Sequence, residues 1–341
     1  SFPTRRSSDL ANQEENAVCL KDPYGRIIDY LRVSVTDRCN LNCAYCRPEN
    51  SPFLSRKALL TSEEILAFCR EAAILGIRHI KITGGEPLLR TDCCSVVEKL
   101  KKTPGIETVT LTTNGLLLSE HLGRLKEAGI DGINISMDTP DRACYAALTG
   151  SDRLPQLLDS IRSTAGLGIP MKINCVIMDG LVPVTDYLAL AEMARSFPAD
   201  VRFIEAMPFG STPMPALNHL DILKLLSSRY PDIKPEESER GFGPAVYYRI
   251  PGFTGCIGFI SAVHGSFCKS CNRIRLTADG FLKGCLGFES NICIKPLFRQ
   301  AGYKDALQKA ILRTVSQKPP CHCFGGKQSG AEHKSMSKIG G

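Results

Sequence analysis

The sequence predicts an α/β fold with a parallel sheet, followed by a smaller second part. Six short β-rich runs alternate with amphipathic helical runs between residues 31 and 206. Repeated β-then-α units favour parallel strands joined by right-handed crossovers. After residue 206, Pro and Gly become frequent and the β-rich runs shorten. The alternation alone leaves open whether the sheet is doubly wound or curved into a partial barrel.

The individual elements follow from local pattern. The six strand candidates are LRVSV (31–35), HIKIT (79–83), TVTLT (108–112), INISM (133–137), KINCVI (172–177) and VRFIEA (201–206),. The first helix is expected to begin at Thr61, because Thr61 and Glu64 have the spacing of a capping box. Beyond a soft boundary near residue 215, AVYYRI, CIGFIS and IRLTA predict shorter, antiparallel strands,.

The composition is that of an ordinary globular chain with many cysteines. The 341 residues are 43% hydrophobic and 23% charged, with a net charge of +7 and 16 cysteines. No apolar run approaches the ~20 residues that span a bilayer, so we expect no membrane span. No aromatic-interleaved basic patch indicates nucleic acid. Clustered cysteines without a visible secretory signal favour metal chemistry in a reducing compartment, and we expect a cytoplasmic protein.

Both ends of the chain are set apart from the predicted fold. Residues 1–10 can be back-translated into a common sequencing-adapter sequence, and we interpret them as a non-native tail,. The segment from Arg313 to Gly341 carries five Lys or Arg residues and one Glu. Such charge ordinarily marks a solvated tail, and the alternative is a contact with an anionic ligand.

The first cysteine group is Cys39, Cys43 and Cys46, spaced Cys-x3-Cys-x2-Cys after the first strand. Thiolates favour iron–sulfur clusters or zinc. A 4Fe–4S cube held by three cysteines keeps one iron open, whereas zinc would need a distant fourth ligand. Tyr45 beside the last cysteine and the glycine-rich GGEP (84–87) after the second strand favour iron–sulfur. Further polar groups also follow predicted strands, where parallel α/β folds place their chemistry.

The CNLNCAYC and GGEP runs together resemble the radical S-adenosylmethionine (SAM) superfamily. In that superfamily the open iron chelates the methionine moiety of SAM. The reduced cluster then cleaves the sulfonium to give a 5′-deoxyadenosyl radical. The resemblance therefore implies that SAM takes the place of a fourth cysteine.

The second cysteine group is Cys268, Cys271 and Cys285, spaced Cys-x2-Cys-x13-Cys. Spacing leaves two interpretations open, a zinc ribbon or a second cluster with an open iron. The candidates for a fourth zinc ligand are Cys256, Cys293, Cys321 and Cys323.

Seven runs, in order from about Asp22 to Gly341, resemble the GTP 3′,8-cyclases of molybdenum cofactor biosynthesis. They are YLRVSVTDRCNLNCAYC, KITGGEPLLR, TTNG, INISMDT, VRFIEAMP, FCKSCNRIRLTADG and MSKIGG. The resemblance implies an incomplete (β/α)6 TIM-like barrel of the radical SAM type and a smaller C-terminal domain carrying the second cluster. The expected parts are the tail 1–10, the barrel 11–215, the auxiliary-cluster domain 216–325 and the basic tail 326–341. The run GFESNICIKPLF departs from the Asp-Leu-Arg run expected there.

The resemblance also implies the residues that contact each ligand. The expected SAM contacts are Tyr45, Gly85, Glu86, Ser136 and Met207. The expected GTP contacts are Arg32, Lys81, Thr112, Lys172, Arg202, Arg273, Ile274 and Arg275. Cys39, Cys43 and Cys46 would hold one 4Fe–4S cluster, and Cys268, Cys271 and Cys285 the other. Gly340 and Gly341 are assigned to catalysis.

The expected activity is the cyclisation of GTP to 3′,8-cyclo-7,8-dihydro-GTP by a carbon–carbon lyase. The expected partners are a flavodoxin-type electron donor, a downstream cyclic pyranopterin monophosphate synthase and a second copy of the chain in a homodimer. Two alternatives remain open from the residues. One is a radical SAM enzyme that acts on a peptide or another substrate with an auxiliary cluster. The other is a non-catalytic zinc or iron–sulfur protein.

Overall fold

The computed structural model describes residues 19–47, 52–208, 217–265, 267–324, 331–332 and 334–340. The predicted non-native tail, residues 1–10, lies outside these residues, and so does Gly341. Among the described residues, no helix combines the length and apolar character needed to cross a bilayer.

The six predicted strands are confirmed, each within two residues of its expected bounds. They are β1 (Tyr30–Ser34), β2 (His79–Thr83), β3 (Thr108–Thr113), β4 (Gly132–Ser136), β5 (Met171–Ile177) and β6 (Ala199–Glu205). Each strand pairs with the next in parallel register. In β2, Ile80 and Ile82 belong to the hydrophobic core, while Lys81 between them lines the interior. Alternation along the strand thus separates the core from a polar interior.

Helices follow the strands and cover the outer face of the sheet. They are α1 (Ser62–Ile74), α2 (Cys93–Lys101), α3 (Leu118–Glu127), α4 (Arg142–Thr149), α5 (Leu154–Gly166) and α6 (Val184–Ser196). The predicted start of α1 is confirmed. The Glu64 amide donates to the Thr61 hydroxyl at 3.2 Å, and the Thr61 amide donates to the Glu64 carboxylate at 2.8 Å.

The C-terminal part adds short strands and three more described helices. The strands are β7 (Lys234–Pro235), β8 (Val246–Arg249), β9 (Ile257–Ile260), β10 (Arg273–Leu276), β11 (Phe281–Lys283) and β12 (Ile292–Cys293). The helices are α7 (His219–Arg229), α8 (Tyr303–Ser316) and α9 (Met336–Ile339).

The expectation of antiparallel strands after residue 215 is wrong for one side of β9 and of β10. β9 pairs in parallel with β6, and β10 pairs in parallel with β1. Only their outer neighbours, β8 and β11, are antiparallel to them. The strand order is β12-β11-β10-β1-β2-β3-β4-β5-β6-β9-β8-β7. The C-terminal part therefore extends both edges of the six-stranded sheet, and the β9–β10 connection carries Cys268 and Cys271.

We expect Thr61→Ala to lower the free energy of unfolding by about 1 kcal/mol, because it removes the side-chain acceptor at the start of α1. Thr61→Ser keeps an acceptor and should change the stability by less than half as much. Urea denaturation of the metal-free chain measures both variants. Equal losses for Ala and Ser would contradict the capping role.

Candidate active site

One cavity of about 780 Å³ occupies the interior of the sheet and is lined by all six cysteines of the two groups. Cys39, Cys43 and Cys46 lie beyond the carboxyl end of β1. Cys268 and Cys271 lie in the β9–β10 connection, and Cys285 follows β11. Two cysteine groups that are more than 220 residues apart in the chain therefore share one chamber.

The glycine pair of GGEP packs against the backbone of the first cysteine loop. The Gly85 amide donates to the Thr36 carbonyl at 2.7 Å, and the Glu86 amide donates to the Arg38 carbonyl at 2.7 Å. A Cβ on Gly85 would lie 2.4 Å from the Arg38 oxygen, and one on Gly84 would lie 2.5 Å from the Thr36 oxygen. Glycine is needed here because two backbones approach more closely than a side chain permits.

The Glu86 side chain supports the first cysteine loop indirectly, through residues at the end of β3. Its carboxylate accepts from the Asn114 amide at 2.7 Å and from the Thr113 hydroxyl at 2.8 Å. The Asn114 side-chain amide in turn lies 3.7 Å from the Cys39 sulfur. Burial raises the pKa of Glu86 to about 7,. The described cavity lining contains Gly85 but not Glu86, so the expected SAM contact of Glu86 stays a prediction.

Tyr45 and Asp138 join the cysteine loop to the end of β4. The Tyr45 hydroxyl donates to Asp138 at 2.7 Å, and the Val176 amide donates to the other carboxylate oxygen at 2.8 Å. Burial raises the pKa of Asp138 to about 6, against the effect of these hydrogen bonds,. The predicted SAM contacts Ser136 and Met207 also line the cavity.

The first cysteine group fits a metal cluster better than free thiolates. Burial raises the pKa of Cys46 to about 12, and the neighbouring charges of Cys39 and Asp138 add to this effect,. The pKa of Cys43 is also raised well above its ordinary value, chiefly by burial. Thiolates crowded in a buried site need a cationic partner, and an iron–sulfur core supplies one.

The second cysteine group lies beside fixed hydrogen-bond donors. The Lys318 ammonium lies 3.4 Å from the Cys271 sulfur, and the His322 amide lies 3.3 Å from the Cys268 sulfur. Burial alone would raise the pKa of the Cys271 thiol, but the charges of Lys318 and Arg273 lower it to about 7,. This environment favours a thiolate ligand.

The candidate fourth zinc ligands bear on the choice between zinc and a cluster at the second cysteine group. Two of the proposed fourth zinc ligands are engaged elsewhere: the Cys256 sulfur lies 3.5 Å from Glu236, and the Cys293 sulfur lies 3.9 Å from the Asp279 carbonyl.

Between the two cysteine groups lies a cluster of cationic side chains on neighbouring strands. Arg32 stands opposite Lys81 on one side and Arg275 on the other in the parallel ladder. Arg202 donates to the Asn174 side chain at 2.8 Å, and Arg273 packs over the Phe267 ring. The cationic residues that line the cavity are Arg32, Lys81, Lys172, Arg202, Arg240, Arg273 and Arg275.

These charges repel one another in a buried space. Burial lowers the pKa of Arg32 to about 10 and that of Arg275 well below its ordinary value. Burial also lowers the pKa of Lys81, and Arg202, Arg32, Lys172 and Arg273 lower it further. Within the described residues, no carboxylate forms an ion pair with Lys81, Arg202 or Arg275. Buried cations of this kind favour a polyanionic ligand.

Lys172 differs from the other predicted GTP contacts because it already has an acidic neighbour. Its ammonium lies 3.7 Å from the Asp200 carboxylate and 2.9 Å from the Tyr247 hydroxyl, and it donates to the Arg240 carbonyl. Asp200 also pairs with Arg240 at 2.6 Å. Lys172 is therefore part of an ion network at the amino-terminal end of the strands.

The remaining predicted GTP contacts lie on both faces of the sheet. Thr112 lines the cavity. Ile274, by contrast, is fully buried in the hydrophobic core, between Arg273 and Arg275 along β10. Because neighbouring side chains of a strand face opposite ways, the cavity receives the two arginines and not the isoleucine. A role for Ile274 is thus restricted to packing or backbone contact.

The C-terminal tail returns to the cavity. Met336 lines it, the Ser337 amide lies 3.4 Å from the Cys46 carbonyl, and Arg275 donates to the Gly340 carbonyl at 2.8 Å. Gly340 has φ +88°, and a Cβ there would lie 2.5 Å from the Cβ of Ser34. The assignment of Gly341 falls outside the described residues.

Several functional-site residues were not predicted from the sequence. Asp200, Arg240 and Tyr247 line the cavity, as do Phe267 and His322. They carry no distinctive spacing, since they come from separate turns and strand ends. In the CHC run (321–323), the His322 backbone amide lies 3.3 Å from the Cys268 sulfur, a contact that depends on tertiary packing.

A partial parallel barrel with a Cys-x3-Cys-x2-Cys loop over a glycine pair defines a radical SAM protein. In agreement, the family model of the Radical SAM superfamily matches residues 33–185, and that of Molybdenum Cofactor Synthesis C matches residues 199–324. The chain belongs to the GTP 3′,8-cyclase family. It is 37% identical to the GTP 3′,8-cyclase of Clostridium perfringens over 324 residues, which cover 94% of this chain and 100% of that protein.

Other relatives agree with this membership. The chain is 38% identical to the GTP 3′,8-cyclase of Listeria monocytogenes over 336 residues, which cover 94% of this chain and 99% of that protein. In solved structures, it resembles Streptococcus suis SuiB bound to the precursor peptide SuiA, with a TM-score of 0.62 and 14% identity, covering 97% of this chain and 73% of SuiB. That likeness concerns the fold alone. SAM and 4Fe–4S clusters are the cofactors of this family, and both cysteine groups fit such clusters.

We expect Gly85→Ala to lower the iron content of the reconstituted chain from about eight to about four atoms, because the added Cβ displaces the loop of the first cysteine group. Gly123→Ala is the control, since a Cβ on this α3 glycine meets nothing within 4 Å. It should keep all the iron and stabilise the helix by about 0.5–1 kcal/mol. Iron analysis after anaerobic reconstitution measures both. Full iron loading of Gly85→Ala would contradict the packing argument.

Proposed function

We propose that the chain converts GTP into (8S)-3′,8-cyclo-7,8-dihydroguanosine 5′-triphosphate, the first step of molybdenum cofactor biosynthesis. Family membership supports this proposal at the level of the whole chain. The single observation that carries it within the site is the group of buried cations between two cysteine groups in one cavity. A nucleoside triphosphate supplies the missing negative charge, and arginine forks match phosphate geometry.

When bound, SAM and the 4Fe–4S clusters would supply the redox chemistry, namely hydrogen abstraction at ribose C3′ and one further reduction after C3′ joins guanine C8. The chain supplies binding and orientation. Arg32, Lys81, Arg202 and Arg275 are proposed to hold the triphosphate, with Arg273 and Thr112 beside them. Fixing the reacting carbons in register is worth roughly 7–11 kcal/mol of the barrier in favourable cases.

The SAM side of the cavity is proposed to use Tyr45, Gly85, Ser136 and Met207. Gly85 is proposed to contact SAM through its backbone, since no side chain fits between Gly85 and Arg38. Tyr45 is fixed by its hydrogen bond to Asp138. For Glu86 we propose a positioning role through Asn114 and the Cys39 loop, in addition to the expected contact with the methionine ammonium.

The tail and Lys172 are proposed to close the site. Arg275 links the Gly340 carbonyl to the cationic cluster, which would hold the tail beside the bound nucleotide. Closure excludes water and protects radical intermediates from side reactions. Lys172 would add its charge at the opposite end, where Asp200 and Arg240 hold it.

The wider context is also a proposal. A flavodoxin-type donor would supply electrons, the product would pass to cyclic pyranopterin monophosphate synthase, and the active form would be a cytoplasmic homodimer. We keep the division into a barrel, residues 11–215, and an auxiliary-cluster domain, residues 216–325. The change from βα units to the short strands β7 and β8 supports it.

We expect the anaerobically reconstituted chain to release 5′-deoxyadenosine and a cyclised nucleotide when supplied with GTP, SAM and dithionite. Liquid chromatography with mass spectrometry detects both products. Replacing Cys271 by Ala should abolish the cyclised nucleotide. Release of 5′-deoxyadenosine without any cyclised nucleotide would favour another substrate, and zinc in place of iron would exclude the radical mechanism.

We expect Lys81→Met to weaken GTP binding about tenfold or more, which corresponds to roughly 1.5–3 kcal/mol for a charge-assisted contact. The same change should raise the stability of the ligand-free chain. The folded-state pKa of Lys81 lies below its ordinary value, so at neutral pH the charged form opposes folding,. Lys99→Met, an exposed position on α2, is the control for both measurements. Equilibrium dialysis and urea denaturation measure the two effects, and unchanged GTP affinity would contradict the assignment.

A further inference from the structure

Lys318 is a buried cation that the proposed mechanism does not use. It lies just beyond α8 and is 3% exposed. Among the described residues, no carboxylate forms an ion pair with it, in contrast to the buried Lys283, which pairs with Glu332. A buried charge without an acidic partner is costly unless another anion compensates it.

All three hydrogens of the Lys318 ammonium have acceptors around the second cysteine group. The nitrogen lies 2.8 Å from the Arg273 carbonyl, 2.6 Å from the Gly284 carbonyl and 3.4 Å from the Cys271 sulfur. Arg273 lies two residues after Cys271, and Gly284 lies immediately before Cys285. One side chain thus ties together the two segments that present cysteine ligands.

The segment after Lys318 adds a second contact of the same kind. The His322 amide lies 3.3 Å from the Cys268 sulfur. Arg26, paired with Asp22 at 2.5 Å, donates to the carbonyls of Cys268 at 2.8 Å and Pro319 at 2.7 Å. Residues 318–322, which contain no ligand of the proposed cluster, therefore direct an N–H group at two of its three sulfurs.

We propose that Lys318 is a positioning residue of the second iron–sulfur cluster, that it compensates the cluster's negative charge and that it makes this cluster easier to reduce. The proposal rests on the proposed function, which places a cluster at Cys268, Cys271 and Cys285. Three thiolates outweigh the charge of a 4Fe–4S core, and reduction adds another negative charge. A fixed cation and N–H···S hydrogen bonds stabilise the reduced state and so raise the reduction potential.

The test uses the full-length chain with Cys39, Cys43 and Cys46 replaced by Ala, so that only the second cluster loads. Redox titration followed by electron paramagnetic resonance gives its midpoint potential, and iron analysis gives its occupancy. We expect Lys318→Met to keep about four irons and to shift the midpoint potential downward. Lys318→Arg should restore at least half of that shift. An unchanged potential in Lys318→Met would overturn the proposal.

Lys309→Met is the matched control, because it makes the same substitution at an exposed position of α8. It should leave the potential and the iron content unchanged. If Lys318→Met loads no iron, Lys318→Arg and Lys318→Gln decide. Iron loading of Lys318→Arg but not of Lys318→Gln supports charge compensation. Equal iron content in these two variants would mean that Lys318 has only a structural role, and it would overturn the proposal.

Measurements on the parent chain with Lys318 intact distinguish a failure of the proposed function from a failure of the inference about Lys318. If that chain binds no iron, or binds zinc instead, the proposed function fails. If it binds the cluster and the Lys318 variants leave its potential unchanged, only the inference about Lys318 fails.

Discussion

The structure depends on apolar packing that outweighs a group of buried positive charges, of which Lys81, Arg202 and Arg275 form no ion pair with a carboxylate among the described residues. Arg32, Lys81, Arg202 and Arg275 meet inside a sheet whose outer face is packed with apolar side chains. Desolvation and mutual repulsion oppose this arrangement, as the lowered pKa of Lys81 indicates,. The apolar packing of the βα units must therefore supply the stability that the interior opposes. A nucleotide that binds the folded state adds its binding free energy to the stability of the protein.

The electrostatic environment changes from one end of the cavity to the other. At one end the first cysteine group shares its surroundings with Asp138, and burial opposes ionisation of its thiols. In the middle, cations dominate. At the second cysteine group, Lys318 and Arg273 favour the thiolate of Cys271. The two groups therefore differ at Cys271, where fixed cations lower the pKa of the thiol, whereas burial raises the pKa of Cys285 as it does in the first group.

Sequence reasoning was most successful where chemistry is local. β1 to β6 and the cap at Thr61 follow from alternation and from a capping pair only three residues apart. The partners of β9 and β10 could not be predicted, because a short strand does not indicate which edge it will join. The same limit applies to Lys318. Its contacts with Cys271 and Gly284 depend on tertiary packing, and no local pattern distinguishes it from a solvated lysine.

The two cysteine groups also differ in how they are assembled. The first loop is fixed by elements that are neighbours in the sheet, through backbone contacts such as Gly85 with Thr36. The second requires Arg26 near the start of the chain, the β9–β10 connection and residues 318–322 to meet. Long-range closure of this kind carries a larger entropy cost than contacts between neighbouring strands. The second cluster is consequently the part of the site most tightly coupled to completion of the whole fold, and Gly340 joins that closure through Arg275 on β10.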